Sequence, residues 1–259
     1  MLNAALVVAR KEILDGLRDV RSLISAAVHT LMGPAVVGLV SLSGIARRGG
    51  GANAVLIDMM SIFALVAAFV GGMNIAMDTI AGERERRSLL PLLLNPVARA
   101  DIAIGKWLAV SVFAGGGLAL SLAGFVALFA AGLPGWRVLW VAALPLTAAL
   151  LPLALLAAST QLLISTVCRG VKEAQTYLSL IAFVPMGIGI TLAFVPAHGA
   201  WRNLLPIIGQ QFQIEHFMNG GPVSWVEAVR LAYLTLAVAV LLLWIAAARL
   251  QRDEIVYGS

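Results

Sequence analysis

Six long apolar runs, at residues 22–46, 55–77, 107–131, 138–167, 176–196 and 229–248, alternate with short polar or charged joins. At 1.5 Å rise per residue, each run as a helix is long enough to cross a hydrocarbon core of roughly 30 Å. The pattern predicts an all-α polytopic membrane protein with six transmembrane helices. The fourth run contains Pro145 and Pro152, which predicts a kink or a tilt there. Ahead of the first run, Leu6, Ala9, Ile13 and Leu17 recur at helical spacing, with Lys11, Asp15 and Arg18 on the other side. Residues 1–21 therefore predict an amphipathic helix lying in the membrane interface. A charged segment, 78–106, separates runs two and three. A longer one, 197–228, separates runs five and six and mixes apolar residues with Gln210, Gln211, Gln213, Glu215 and His216 between Pro206 and Pro222. It reads as short helices dipping partly into the membrane. With no internal repeat and no low-complexity linker, residues 1–259 form one membrane domain.

Composition agrees with the pattern. Hydrophobic residues make up 61% of the chain and charged residues 12%, with a mean hydropathy of +0.95. So few charges cannot cover a soluble domain of 259 residues, so the bilayer must act as solvent for most of it. The net charge of +5 lies between apolar runs rather than on a soluble face, which orients the chain and argues against nucleic acid as a partner. With the N-terminus inside, the inner set is Arg10, Lys11, Arg18, Arg21, Arg84, Arg86, Arg87, Arg99, Lys106, Arg169, Lys172, Arg249 and Arg252. The outer set is Arg47, Arg48, Arg137, Arg202 and Arg230, a ratio of 13 to 5. Both termini are thus expected in the cytoplasm. Trp107, Trp136, Trp140, Trp201, Trp225 and Trp244 all fall near expected span ends, where aromatic belts form. The first apolar run is followed by no small-residue cleavage site and reads as a retained span. A single cysteine, Cys168, excludes an intrachain disulfide and a Cys-based zinc site.

The most informative stretch runs Gly82-Glu83-Arg84-Glu85-Arg86-Arg87-Ser88-Leu89-Leu90-Pro91-Leu92-Leu93-Leu94-Asn95-Pro96. Five charges follow a span, then a leucine-rich segment, then an Asn-Pro step that ends a helix. On a helix, Glu83 and Arg87 form an i,i+4 pair and the leucines one apolar face, as in a short amphipathic helix that docks in a partner's groove. The plainer reading is a solvated loop whose arginines enforce topology.

These residues resemble the hallmark of the ABC type 2 exporter permeases. In that family a span ends in Gly-Glu-Arg-Glu, followed by a Leu-rich segment, a Pro-x-x-Arg step and a Gly-Lys opening the next span. Here they are Gly82 to Glu85, Leu89 to Leu94, Pro96 to Arg99 and Gly105-Lys106. Lys172-Glu173-Ala174-Gln175-Thr176-Tyr177, Arg10-Lys11-Glu12, Arg18-Asp19-Val20-Arg21 and residues 206–220 resemble the sodium-exporter (NatB-like) branch. Members of that branch carry a large outer domain between spans one and two, whereas residues 47–54 alone join them here, which argues against carrying sodium over as the substrate. The resemblance implies the membrane subunit of an exporter in an inner cell membrane. Separate cytoplasmic ATPase subunits would hold ATP and magnesium, and a second permease, identical or related, would complete the transporter. It also implies that Gly82, Glu83, Arg84, Glu85, Arg86, Arg87, Pro96 and Arg99 form the ATPase-coupling element.

The chain's only Gly-Lys, Gly105-Lys106, is followed by Trp107. A phosphate-binding loop needs a Ser or Thr there for magnesium, so no cofactor and no catalysis are expected in this chain. Polar residues inside spans are costly and thus informative: His29, Asp58, Asn74, Asp78 and Gln161. Asp58 and Asp78 lie near opposite ends of span two and reach water. Asn74, Gln161 and His29 are candidates for a transport path, although Asn74 and Gln161 could equally bond a neighbouring helix. Gly71-Gly72 and Gly115-Gly116-Gly117 suit close helix packing. An intramembrane protease needs a nucleophile with a histidine, or closely spaced metal ligands. Ser43-Gly44 lacks the flanking pattern, and His29, His198 and His216 are scattered. A secondary transporter shows repeated halves and midplane ionisable groups, and neither is evident.

Overall fold

The computed structural model describes residues 2–43, 52–88, 91, 97–130, 140–195, 199–219, 221–222 and 224–251. Among these the chain is helical, without strands. Helix α1 spans Leu2–Arg18 and α2 Val20–Leu42. Asp19 forms the corner between them. Its carboxylate accepts the Ser22 amide at 3.3 Å and the Ser22 hydroxyl, capping α2 and holding the Asp19 carboxyl below its ordinary range. Helix α3 (Ala52–Gly71) continues through α4 (Met73–Ala76), a π-helical turn (Met77–Gly82) and α5 (Glu83–Glu85). Then come α6 (Arg99–Ala130), α7 (Trp140–Val167) and α8 (Val171–Phe194). A 3-10 turn (Ala200–Asn203), α9 (Ile208–Met218) and α10 (Trp225–Leu250) complete the described chain.

Among the described residues, six helices are long and apolar enough to cross a membrane: Val20–Leu42, Ala54–Glu85, Arg99–Leu128, Pro145–Val167, Val171–Phe194 and Trp225–Leu250. They divide into two layers. Half or more of the most apolar stretch of the second, third and fourth is buried in protein, against 28%, 17% and 22% of that stretch in the first, fifth and sixth. The central three build a core of Leu65, Phe69, Leu118, Phe125, Leu150 and Leu153. The others turn apolar side chains such as Leu39, Phe183, Phe194 and Trp244 outward. Without water between helices, close backbone approach replaces hydrophobic burial as the driving contact. A Cβ on Gly71 would sit 2.8 Å from the Gly117 Cα, and one on Gly117 would sit 2.7 Å from the Gly71 Cα. Of the glycine triplet in the third span, Gly117 is the member that makes this crossing. Gly124 of α6 instead makes room for a side chain, the Pro34 ring of α2, whose Cγ would lie 2.8 Å from a Cβ there.

Short helices do form in the segment between the fifth and sixth spans. Ile214 of α9 enters the main core, and Gln210 donates to the Thr235 hydroxyl of α10 at 2.9 Å. The α1 face against α6 carries Ala5, Ala9, Glu12 and Gly16, while Leu6 and Leu17 are half exposed. Of the apolar stripe, Ala9 thus packs on α6, and small side chains let the two helices lie close. One expectation changes. The charged segment 78–106 is largely span: Asp78 to Glu85 end the second crossing and Arg99 to Lys106 begin the third. The leucine-rich residues 89–90 and 92–94, Asn95, Pro96 and the join at 44–51 lie outside the described residues.

Candidate functional site

Where α1 lies against the end of the second span and the start of the third, charged side chains from all three meet in one joint. Its centre is Lys106, about two turns into α6 and wholly buried. Its ammonium group lies 2.8 Å from Glu83 Oε1 and 3.1 Å from Glu12 Oε1. It also donates to the Thr79 carbonyl oxygen at 2.8 Å. One lysine thus ties α1, the end of the second span and the start of the third. Gly105 explains how α1 comes within reach: a Cβ there would lie 2.6 Å from the Ala5 carbonyl oxygen and 2.7 Å from the Val8 Cβ. Two carboxylates against one ammonium leave an excess negative charge, partly offset at the rim by Lys11, 3.6 Å from Glu12. Buried charges persist only when paired and hydrogen-bonded, and all three donors of Lys106 are spoken for.

The next two residues reach different helices. Arg84 donates to the Cys168 carbonyl at 2.6 Å and to the Thr166 carbonyl at 3.1 Å. It thereby satisfies the last carbonyls of α7 with a cation, as the helix dipole favours. Glu85 Oε2 accepts the Val171 amide at 2.7 Å, supplying the anion at the start of α8 that its own cap residue, Gly170, lacks. Glu173 closes the same corner by accepting the Arg169 amide at 2.7 Å. The Cys168 thiol, buried beside Arg84, is pushed up from its ordinary value chiefly by burial, so it stays protonated and unreactive. Three consecutive side chains, Glu83, Arg84 and Glu85, therefore hold three separate helix junctions.

Helix termination places them. The π-helical turn at Met77–Gly82 rotates the facing of the residues beyond it. The Ser88 amide then bonds the Glu83 carbonyl and the Arg87 amide the Arg84 carbonyl. This Schellman pattern puts Arg87 in the left-handed region, at φ 57°. Arg87 consequently leaves the helix, and Glu83 pairs with Lys106 instead of forming the expected i,i+4 pair with Arg87. Arg86 turns back to Asp78, 2.8 Å away. Gly82 lies under that bridge, where a Cβ would fall 2.5 Å from the Asp78 carboxylate. Both partners are more than half exposed, so the pair contributes about 1 kcal/mol at most. Arg99, at the start of α6, donates to the Leu250 and Gln251 carbonyls at 3.3 and 3.1 Å, capping α10 as Arg84 caps α7.

Of the expected coupling residues, Glu83, Arg84 and Glu85 hold the joint, Gly82 and Arg86 border it through Asp78, Arg87 turns out of the helix and Arg99 caps α10; Pro96 lies outside the described residues. Glu12 and Lys106 are visible in the sequence as parts of motifs but not as site partners. The three path candidates do not bond one another. Asn74 donates to the Ser22 carbonyl at 3.0 Å, bracing the start of α2. Gln161 donates to the Phe69 carbonyl, while its amide oxygen, buried without a hydrogen-bond partner among the described residues, faces Gly72. His29 is exposed and bonds the Ser25 carbonyl of its own helix at 2.6 Å.

Known proteins place this joint in context. Residues 6–254 match the family model described as ABC-2 family transporter protein. The ABC transporter permease protein NatB of Bacillus subtilis (strain 168) is 37% identical over 151 residues, 52% of this chain and 37% of that relative. The probable ABC transporter permease protein NosY of Pseudomonas aeruginosa is 30% identical over 133 residues, 49% of this chain and 43% of the relative. NosY of Stutzerimonas stutzeri is 33% identical over 124 residues, 47% of this chain and 42% of the relative. The chain thus spans less than half the length of the curated relatives it matches. With a family match over nearly all its residues and six apolar spans, this multi-pass membrane chain belongs to the ABC-2 family of transporter proteins.

Proposed function

We propose that this chain is the transmembrane permease subunit of an ATP-binding-cassette exporter in an inner cell membrane. Two such permeases, identical or related, enclose the path, and two cytoplasmic ATPase subunits bind ATP and magnesium and do the hydrolysis. Both termini face the cytoplasm, as the 13-to-5 distribution of basic residues supports. The ATPases push on residues 82–96 and on α1. The observation that carries this reading is the linkage of Glu83, Arg84 and Glu85 to Lys106, the end of α7 and the start of α8. A displacement applied there is delivered to four helices at once. Rigid helices meeting at a fixed joint can switch a path between inward and outward access without bending.

The test is the double variant Glu83→Gln and Glu85→Gln, which removes the charges and keeps hydrogen-bonding groups of the same shape. Reconstituted with its ATPase partner, it should assemble and hydrolyse ATP while transport falls to background. Wild-type transport by that variant would remove the coupling role from this joint.

A further inference from the structure

At the end of the bundle that carries the joint, α8 and α10 each pack on α7 but share no packed interface. Helix α9 bridges the two at the opposite end, so the space between them opens toward the end of α7. Val167, in the last turn of α7, is half exposed there. Four cations gather at this corner. Arg169 lies in the join between α7 and α8, Lys172 in the first turn of α8 and Arg249 in the last turn of α10. Arg169 and Lys172 are exposed and Arg249 partly so. Arg84 is the fourth, close enough to Arg249 for the two like charges to act on each other. None of the four forms an ion pair among the described residues. Two carboxylates stand nearby, but Glu85 is turned onto the Val171 amide and Glu173 onto the Arg169 amide. Four cations against two carboxylates leave two positive charges uncompensated, an unfavourable state unless an anion answers them.

The surroundings decide which anion fits. Arg84 adds only its field, because its terminal nitrogens hold the α7 carbonyls; the contacts fall to Arg169, Lys172 and Arg249. About one and a half turns further along each helix, toward the middle of the bundle, Tyr177 of α8 and Trp244 of α10 are exposed. Such amphipathic rings mark the headgroup level of a membrane. Beyond them Leu180 and Leu241 turn apolar side chains outward. A soluble anion has no use for that apolar approach, whereas a phospholipid lays its acyl chains along it while its phosphate meets the cations. We propose that the cleft between α8 and α10 holds an anionic phospholipid, its phosphate on Arg169, Lys172 and Arg249 and its acyl chains along the two helices. Two uncompensated charges favour cardiolipin, with two phosphates, over phosphatidylglycerol, with one, and either over phosphatidylcholine, which has no net charge. Holding such a lipid requires neither a cargo nor an ATPase, so the site stands or falls apart from the transport role.

The experiment uses the full chain in nanodiscs of phosphatidylcholine containing small, equal amounts of cardiolipin and phosphatidylglycerol. Native mass spectrometry reads the lipids that the chain retains. The parent should hold the anionic lipids, cardiolipin first, against the excess of phosphatidylcholine. Lys172→Gln combined with Arg249→Gln should lower that retention by on the order of tenfold or more, the loss expected for two surface cations. Arg10→Gln, which removes an exposed cation of α1, should leave it unchanged. A second readout needs no release from the membrane. Brominated phosphatidylglycerol should quench tryptophan emission more than brominated phosphatidylcholine does, and Trp244→Phe should remove most of that excess. The proposal is overturned if the parent retains phosphatidylcholine equally well, or if the double variant and Arg10→Gln lose lipid alike. It is also overturned if the double variant releases the ATPase subunit while keeping its lipid, which would make the corner a protein contact.

Discussion

Lys106 is the residue on which the joint depends. Replacing a buried ion by an apolar group of the same size can be nearly neutral, but removing one partner leaves the others charged and dry. Lys106→Ala strands Glu12 and Glu83 together in the protein interior, with Lys11 alone left at the rim. It should lower stability by about 3–5 kcal/mol, read as a shift of the denaturation midpoint in detergent micelles. Adding Glu12→Gln and Glu83→Gln to that variant should recover a substantial part of the loss. If Lys106→Ala were as stable as the parent, the cluster would not hold the joint together. The sequence marks Glu12, Glu83 and Lys106 as members of three charged motifs. It does not pair them, because the pairing needs α1 laid against α6 at Gly105, a contact between segments far apart in the chain. The Glu83–Arg87 pair fails for a local reason: an i,i+4 pairing assumes that the helix continues, whereas the chain leaves it at Arg87.

At the level of elements, the six crossings are legible from hydropathy because lipid enforces both length and internal hydrogen bonding. The end of the second is not. Hydropathy falls at Asp78, but the helix runs on to Glu85 because Glu83, Arg84 and Glu85 find partners on other helices instead of water. The outer helix α9 carries a charge that can be tested by pH. Glu215 is pushed above its ordinary range, chiefly by burial, with the Asp58 carboxylate adding to the shift; Gln211, Ser61 and Arg202 oppose it. The Gln211 amide donates to it at 2.8 Å. A carboxyl raised on folding favours the protonated folded state. Its contribution is fully present below the unfolded carboxyl's value and is lost as the pH rises through the folded one. The parent should therefore lose stability relative to Glu215→Gln as the pH rises above about 4.5, followed as the difference between their unfolding temperatures. A difference that stays constant with pH would mean that Glu215 is as solvated in the folded chain as in the unfolded one.

For the whole molecule, the joint and helix α9 sit at opposite ends of the bundle, and the proposed mechanism requires them on opposite sides of the membrane. An even number of crossings puts α1 and the end of α10 on one side, and Arg99 capping α10 beside the second and third spans requires the same arrangement. The chain is suited to a direct check because its single cysteine, Cys168, is fully buried. Cys168→Ser removes even that background. Cysteine introduced at Ser88, exposed just past the joint, and separately at Asn219, exposed at the end of α9, should then label from opposite faces of sealed vesicles. In inside-out vesicles a membrane-impermeant maleimide should modify the Ser88→Cys chain and spare the Asn219→Cys chain. Right-side-out vesicles should reverse the pattern. Labelling of both positions from one face would break the alternation of six spans. Opposite faces in the reversed sense would leave the fold standing but put the joint outside the cell. There no ATPase could reach it, and the thirteen basic residues would be guiding something other than orientation.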